Sequence, residues 1–249
     1  MIATNSTSII EIRSKGEIKG HLTIKYDHTM AERIMNSFTY FDFLRVGWKI
    51  QLTVAIDYTK SNEEQELHGD GSSEKHEYVN ALKKVTEILL PYDGDKQIPL
   101  FGFGGIPKGM KEVSHCFPLN GNNDNPEISG GVGPMLELYS KTLPDIGLSG
   151  PTLFRPVLKH FQHILEKGKN LEDPRHYHVL LILTDGCITD MQATRKILVE
   201  LSAEPVSVII IGCGEWDFGE MDELDGDQVR LTDDDGRMAR RDIVQFVNF

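Results

Sequence analysis

The sequence predicts an α/β protein built on an open, mainly parallel, doubly wound sheet. Two observations carry that expectation. From residue 48 onward, short apolar runs alternate with amphipathic stretches, as strand–helix repeats do. Several of those runs are apolar without alternation, as strands covered on both faces are. With 39% hydrophobic and 26% charged residues among 249, the composition is that of an ordinary soluble globular chain. No apolar run approaches the roughly 18 residues that a membrane span needs.

Strands are expected at 49–57 (KIQLTVAID), 97–105 (QIPLFGFGG), 177–185 (YHVLLILTD), 205–213 (PVSVIIIGC) and 227–233 (DQVRLTD). Between them, residues 74–92, 130–143, 152–168 and 190–203 place apolar side chains at helical spacing. Pro151 suits the first turn of the third of these helices, and 117–130 is a turn-rich loop. Residues 1–45 differ. Two short strands joined by Lys15-Gly16 make a β-hairpin, which cannot bury a core by itself. The expected division is therefore 1–45, a remnant of a preceding domain plus linker, and 46–249, the α/β domain. The N-terminus lacks a basic start followed by an apolar stretch, so no secretory signal and a cytoplasmic location are expected. Cys116, Cys187 and Cys213 are then expected to be buried, reduced thiols.

Net charge is −12, and residues 1–45, with six basic and five acidic side chains, contribute none of the excess. An acidic domain argues against nucleic acid and against direct contact with anionic lipid.

Two strands end alike, in Asp57 and Asp185, and in a parallel sheet both carboxylates reach the rim where ligands bind. Asp57, Thr59 and Ser61 alternate, so extended backbone points all three to one side. Thr152 stands at the mouth of another helix. This set of oxygens lacks the Cys and His that zinc prefers and suits Mg²⁺ or Mn²⁺. Helix capping is the plain alternative for each residue taken singly.

Other motifs fail on inspection. Leu231 stands where a calcium loop ending at Asp242 needs its first Asp. Asp217 replaces the third glycine of a dinucleotide turn at 212–219. His160 and His163, and His176 and His178, have no Cys at useful spacing. A Mg²⁺-dependent phosphohydrolase using Asp57 as nucleophile competes, but Thr59 stands where its acid is needed and cannot donate a proton in that role.

Asp57-x-Thr59-x-Ser61, Thr152 and Asp185-Gly186 resemble the metal-ion-dependent adhesion site of von Willebrand factor type A domains, with Thr59 where that family usually has Ser. The runs VAIDYTKSN, LFGFGGIP, GPTLFRPVL, LLILTDGCITDM, VIIIGCGEWDFGEMDELDGD and RDIVQFVNF, in order over roughly 38–249, resemble the copines, intracellular calcium-dependent phospholipid-binding proteins. The resemblance implies a von Willebrand A-type sheet and a non-enzymatic, metal-dependent module that recruits cytosolic proteins supplying an acidic residue. It implies direct coordination by Thr59, Ser61 and Thr152, and contact mostly through water for Asp57 and Asp185. The ion would be Mg²⁺ or Mn²⁺, with Ca²⁺ a third candidate. Copines place two lipid-binding β-sandwiches before this domain, so 1–45 is expected to be the trailing end of the second. Membrane phospholipid, and any peripheral membrane association, is expected only through those sandwiches, whose calcium loops the sequence lacks. An interaction domain with a vestigial metal site, its partner docking on the acidic C-terminal segment, is the further alternative.

Overall fold

The computed structural model describes residues 40–171, 173–226 and 229–249, together with the backbone of strands β1 (Ser6–Ser14) and β2 (Glu17–Tyr26). These two strands pair antiparallel and form the expected hairpin.

The chain continues through α1 (Tyr40–Arg45), β3 (Lys49–Asp57), α2 (Ser61–Glu64), α3 (Glu77–Leu89), β4 (Ile98–Phe103), β5 (Gly105–Pro107), β6 (Phe117–Pro118) and β7 (Glu127–Ile128). It then forms α4 (Val132–Thr142), β8 (Ile146–Leu148), α5 (Arg155–Gly168), β9 (His176–Thr184), α6 (Met191–Leu201), β10 (Val206–Gly212), α7 (Gly219–Asp225) and β11 (Val244–Asn248). The main sheet runs β11-β10-β9-β3-β4-β6, with β7 also on β4. Its five long strands are parallel, and only the two-residue β6 and β7 run antiparallel, both against β4. The expected open, mainly parallel sheet is the fold observed.

Strand alternation divides the core. On β9, Leu180 and Ile182 face α5, α6 and α7. Val179, Leu181 and Leu183 face α1, α3 and α4. Both faces are covered, which is why β9 reads as one unbroken apolar run. On α5, Val157, Leu158, Phe161 and Leu165 make the buried stripe that helical spacing requires. The short α1 joins the second core through Phe43, 3% exposed, and Tyr40 meets the Tyr177 ring edge-on at 5.2 Å.

Strand order reverses between β3 and β9. From β3 the chain steps outward to β4, and from β9 it steps the other way to β10 and β11. A crevice opens at the carboxyl ends of the strands at such a switch point.

Three expectations need correction. No strand spans 229–233; residues 227 and 228 lie outside the described residues. The Asp233 carboxylate accepts the amides of Asp235 and Arg237 and folds the segment into a turn, so the last strand is β11, parallel to β10. Pro151 does not open α5, which begins at Arg155 with Pro156 in its first turn. The Asp190 carboxylate fixes that start by accepting the Phe154 and Arg155 amides at 3.1 and 2.7 Å. Among the thiols, only Cys213 is buried; Cys116 is half-buried, and Cys187 is exposed on the loop after β9.

Candidate metal centre

The switch point gathers the expected residues from three separate loops. Asp57 closes β3 and is fully buried. Its Oδ1 accepts the Thr59 amide at 2.8 Å, and its Oδ2 accepts the Thr184 hydroxyl at 2.7 Å. Thr184 is the last residue of β9, so one hydrogen bond ties together the two strands that carry Asp57 and Asp185. The register explains it: Ile56 lies opposite Leu183, which leaves Asp57 and Thr184 just past the last pair.

The hydroxyls converge next to this bridge. Thr59 Oγ1 and Ser61 Oγ are 3.1 Å apart, and the Thr152 hydroxyl donates to Thr59 Oγ1 at 3.3 Å. Asn62, 1% exposed, donates to the Thr59 carbonyl at 2.8 Å and to Thr59 Oγ1 at 3.2 Å, closing the turn into α2. The loop bearing Thr152 is held from the other side, where its carbonyl accepts the Thr189 amide at 3.0 Å. Gly104, with φ of +75°, lies so close that a side chain there would collide with the Thr59 methyl.

Electrostatics single out the two carboxylates. Burial pushes the Asp57 carboxyl up to about 7, and Asp185 nearby adds to the rise. Burial also raises Asp185, while the Ser61 hydroxyl opposes the shift. Asp185 is 3% exposed, and its Oδ2 is buried with no hydrogen-bond partner among the described residues. An unsatisfied buried carboxylate oxygen calls for a proton or a cation. Among the described residues no three His, Cys, Asp or Glu side chains assemble as a metal site. The set here is of a different kind, two carboxylates and three hydroxyls, and that donor chemistry suits a hard, oxygen-seeking divalent ion.

All five expected residues, Asp57, Thr59, Ser61, Thr152 and Asp185, therefore come to one place. Thr184, Asn62 and His68 escaped notice. Thr184 could have been found by laying the ends of the two Asp-terminated strands side by side. Asn62 looks like any polar residue opening a helix. His68, in the loop between α2 and α3, sits behind Asp57 with its imidazole held down at about 3 by burial.

A family profile described as Copine matches residues 66–249. The chain is 42% identical over 215 residues to Protein BONZAI 1 of Arabidopsis thaliana, covering 84% of this chain and 37% of that protein's length. Among solved structures, the manganese-loaded TRAP protein of Plasmodium vivax superposes with a TM-score of 0.52. It covers 80% of this chain and 68% of that one at 14% identity, a likeness that speaks for the fold alone. Among the described residues no helix is long and apolar enough to cross a membrane. By the span of the profile and the identity to a curated relative, the chain belongs to the copine family.

Proposed function

We propose that the α/β domain is a divalent-metal-dependent protein-binding module, recruiting cytosolic partners through an acidic side chain that completes the ion's coordination. The observation that carries this reading is the convergence of three uncharged hydroxyls on two buried carboxylates, one with an oxygen that has no partner among the described residues. Thr59, Ser61 and Thr152 offer oxygens for direct contact. Asp57, with both oxygens already hydrogen-bonded, and Asp185 act mostly through water. Mg²⁺ and Mn²⁺ tolerate retained waters, and Ca²⁺ remains a third candidate. With little negative charge in direct contact, the bound ion supplies an electrophile for an external carboxylate. In a longer copine, contact with membrane phospholipid would fall to other domains.

The phosphohydrolase reading gains nothing from the geometry. Asp57, its nucleophile, is engaged at both oxygens, and the place of its acid is held by the Thr59 hydroxyl. An array of short Asp-containing peptides beside their Asn counterparts, probed with the protein in Mn²⁺ and in EDTA, tests the binding module. Binding should require both Mn²⁺ and the carboxylate and should disappear in Thr152→Ala and Asp185→Ala. Equal binding in EDTA, or no loss in either variant, would sink the proposal.

A further inference from the structure

The Asp57 carbonyl lies one residue past the last β3–β9 pair, at the point where the main chain must turn to bring Thr59 and Ser61 into the centre. His68 Nε2 is 2.8 Å from that carbonyl oxygen, and His68 Nδ1 is 2.8 Å from the Tyr139 hydroxyl on α4. A carbonyl can only accept, so Nε2 carries the proton and Nδ1 accepts from Tyr139. The tautomer is thus fixed by its two neighbours. The ring cannot swing away: it stacks on Tyr58 at 4.8 Å and 17°, with Tyr78 against it at 4.7 Å. A polar ring set among three tyrosines and bonded at both nitrogens is a costly arrangement for mere filling of space. An aromatic hydrocarbon would pack there without needing either partner.

We propose that His68 is a positioning residue for the metal centre, holding the Asp57 peptide through its Nε2–H while Tyr139 holds His68. The proposal rests on the metal-binding reading above. By fixing the peptide plane that follows the Asp57 side chain, the imidazole fixes where the carboxylate and the Thr59 amide meet. Polar groups one step removed from a metal commonly act in this way. The chain also gains a mechanical link from α4 to the rim, through Tyr139, His68 and Asp57.

The test compares wild type with His68→Phe, His68→Gln and Tyr139→Phe. Phe fills the ring's space without a donor, whereas the Gln amide can donate from nearly the position of Nε2. Mn²⁺ alone is titrated and the free ion read by electron paramagnetic resonance, with melting temperatures taken in EDTA. His68→Phe should weaken Mn²⁺ binding by roughly 10–100-fold, His68→Gln should restore most of the loss, and Tyr139→Phe should fall between. In the metal-free proteins, amide hydrogen exchange at Thr59 should speed up in His68→Phe and stay slow in His68→Gln. Wild-type affinity in His68→Phe, when wild type binds Mn²⁺, overturns the proposal. Absence of Mn²⁺ binding in wild type sinks the metal reading itself; unchanged Thr59 exchange would then also overturn the role of His68, and faster exchange would support its hold on Asp57. Should His68→Phe fail to fold, Tyr139→Phe decides, since it removes one oxygen and no ring.

Discussion

Saturating Mg²⁺ or Mn²⁺ should raise the melting temperature of the wild-type protein by roughly 5–10 °C. At a hundred times its dissociation constant, an ion that binds only the folded state stabilises by about 2.7 kcal/mol, and a domain of this size gains roughly 2–4 °C per kcal/mol. Asp185→Ala should show no such shift. Asp57→Asn should also lose it, and it separates the ion from the proton. Asn keeps an oxygen for the Thr59 amide and offers its own amide to the Thr184 hydroxyl, so both local bonds survive. What it removes is a buried charge beside Asp185. The Asp57 carboxyl sits at about 7 in the fold against an ordinary 3.8. Between those values the folded, metal-free protein holds this proton more tightly than the unfolded chain does. The group's contribution to stability is therefore full below about pH 4 and is lost as pH rises through 7. In EDTA, Asp57→Asn should melt higher than wild type at pH 8, and the advantage should fade by pH 4. Scanning calorimetry at the two pH values, with and without metal, checks each part. A metal shift that survives in Asp57→Asn would contradict the centre described here.

Arg241→Ala should lower stability by about 3 kcal/mol, or roughly 6–12 °C in melting temperature. Arg241 is 9% exposed, and its guanidinium gathers three separated pieces of chain. It donates to the Glu204 carbonyl ahead of β10, to the Val206 carbonyl at the start of β10 and to the Tyr177 hydroxyl on β9, and it lies 5.9 Å over the Phe43 ring of α1. Truncation removes the charge-assisted bonds to two carbonyls, each of which keeps one other donor, and takes away a packed planar group. Arg241→Lys should recover only part of the loss, because a point charge cannot reach several acceptors from one plane. Urea unfolding in EDTA measures both, and a loss within about 0.5 kcal/mol for Arg241→Ala, the range of an ordinary surface change, would show that the contacts add nothing.

The central strands were legible because burial on both faces writes them as plain apolar runs: β3, β9 and β10 stand where KIQLTVAID, YHVLLILTD and PVSVIIIGC place them. The last strand was not. In β11 only Val244 is buried, so an edge strand hid in VQFVN, while DQVRLTD read as a strand until the Asp233 turn claimed its end. Pro151 and Pro156 could each open a helix. The choice between them is made by Asp190, distant in sequence, capping the Phe154 and Arg155 amides. The same limit applies at the centre. Asp57, Thr59 and Ser61 declare themselves by local alternation, but the roles of Thr184 and His68 arise from a register and a loop position that no short window of sequence contains.

The bridge between β3 and β9 bears on the order of events in folding. Thr152 and Thr59 are 93 residues apart along the chain, and Thr184 and Asp57 are 127 apart. No fragment carries the oxygen set by itself, and contacts closing such long loops form slowly and late. An ion recognising this set has nothing to hold until both strands have docked. Its effect should then fall on the lifetime of the native state, slowing escape many-fold while leaving the refolding rate nearly as it was.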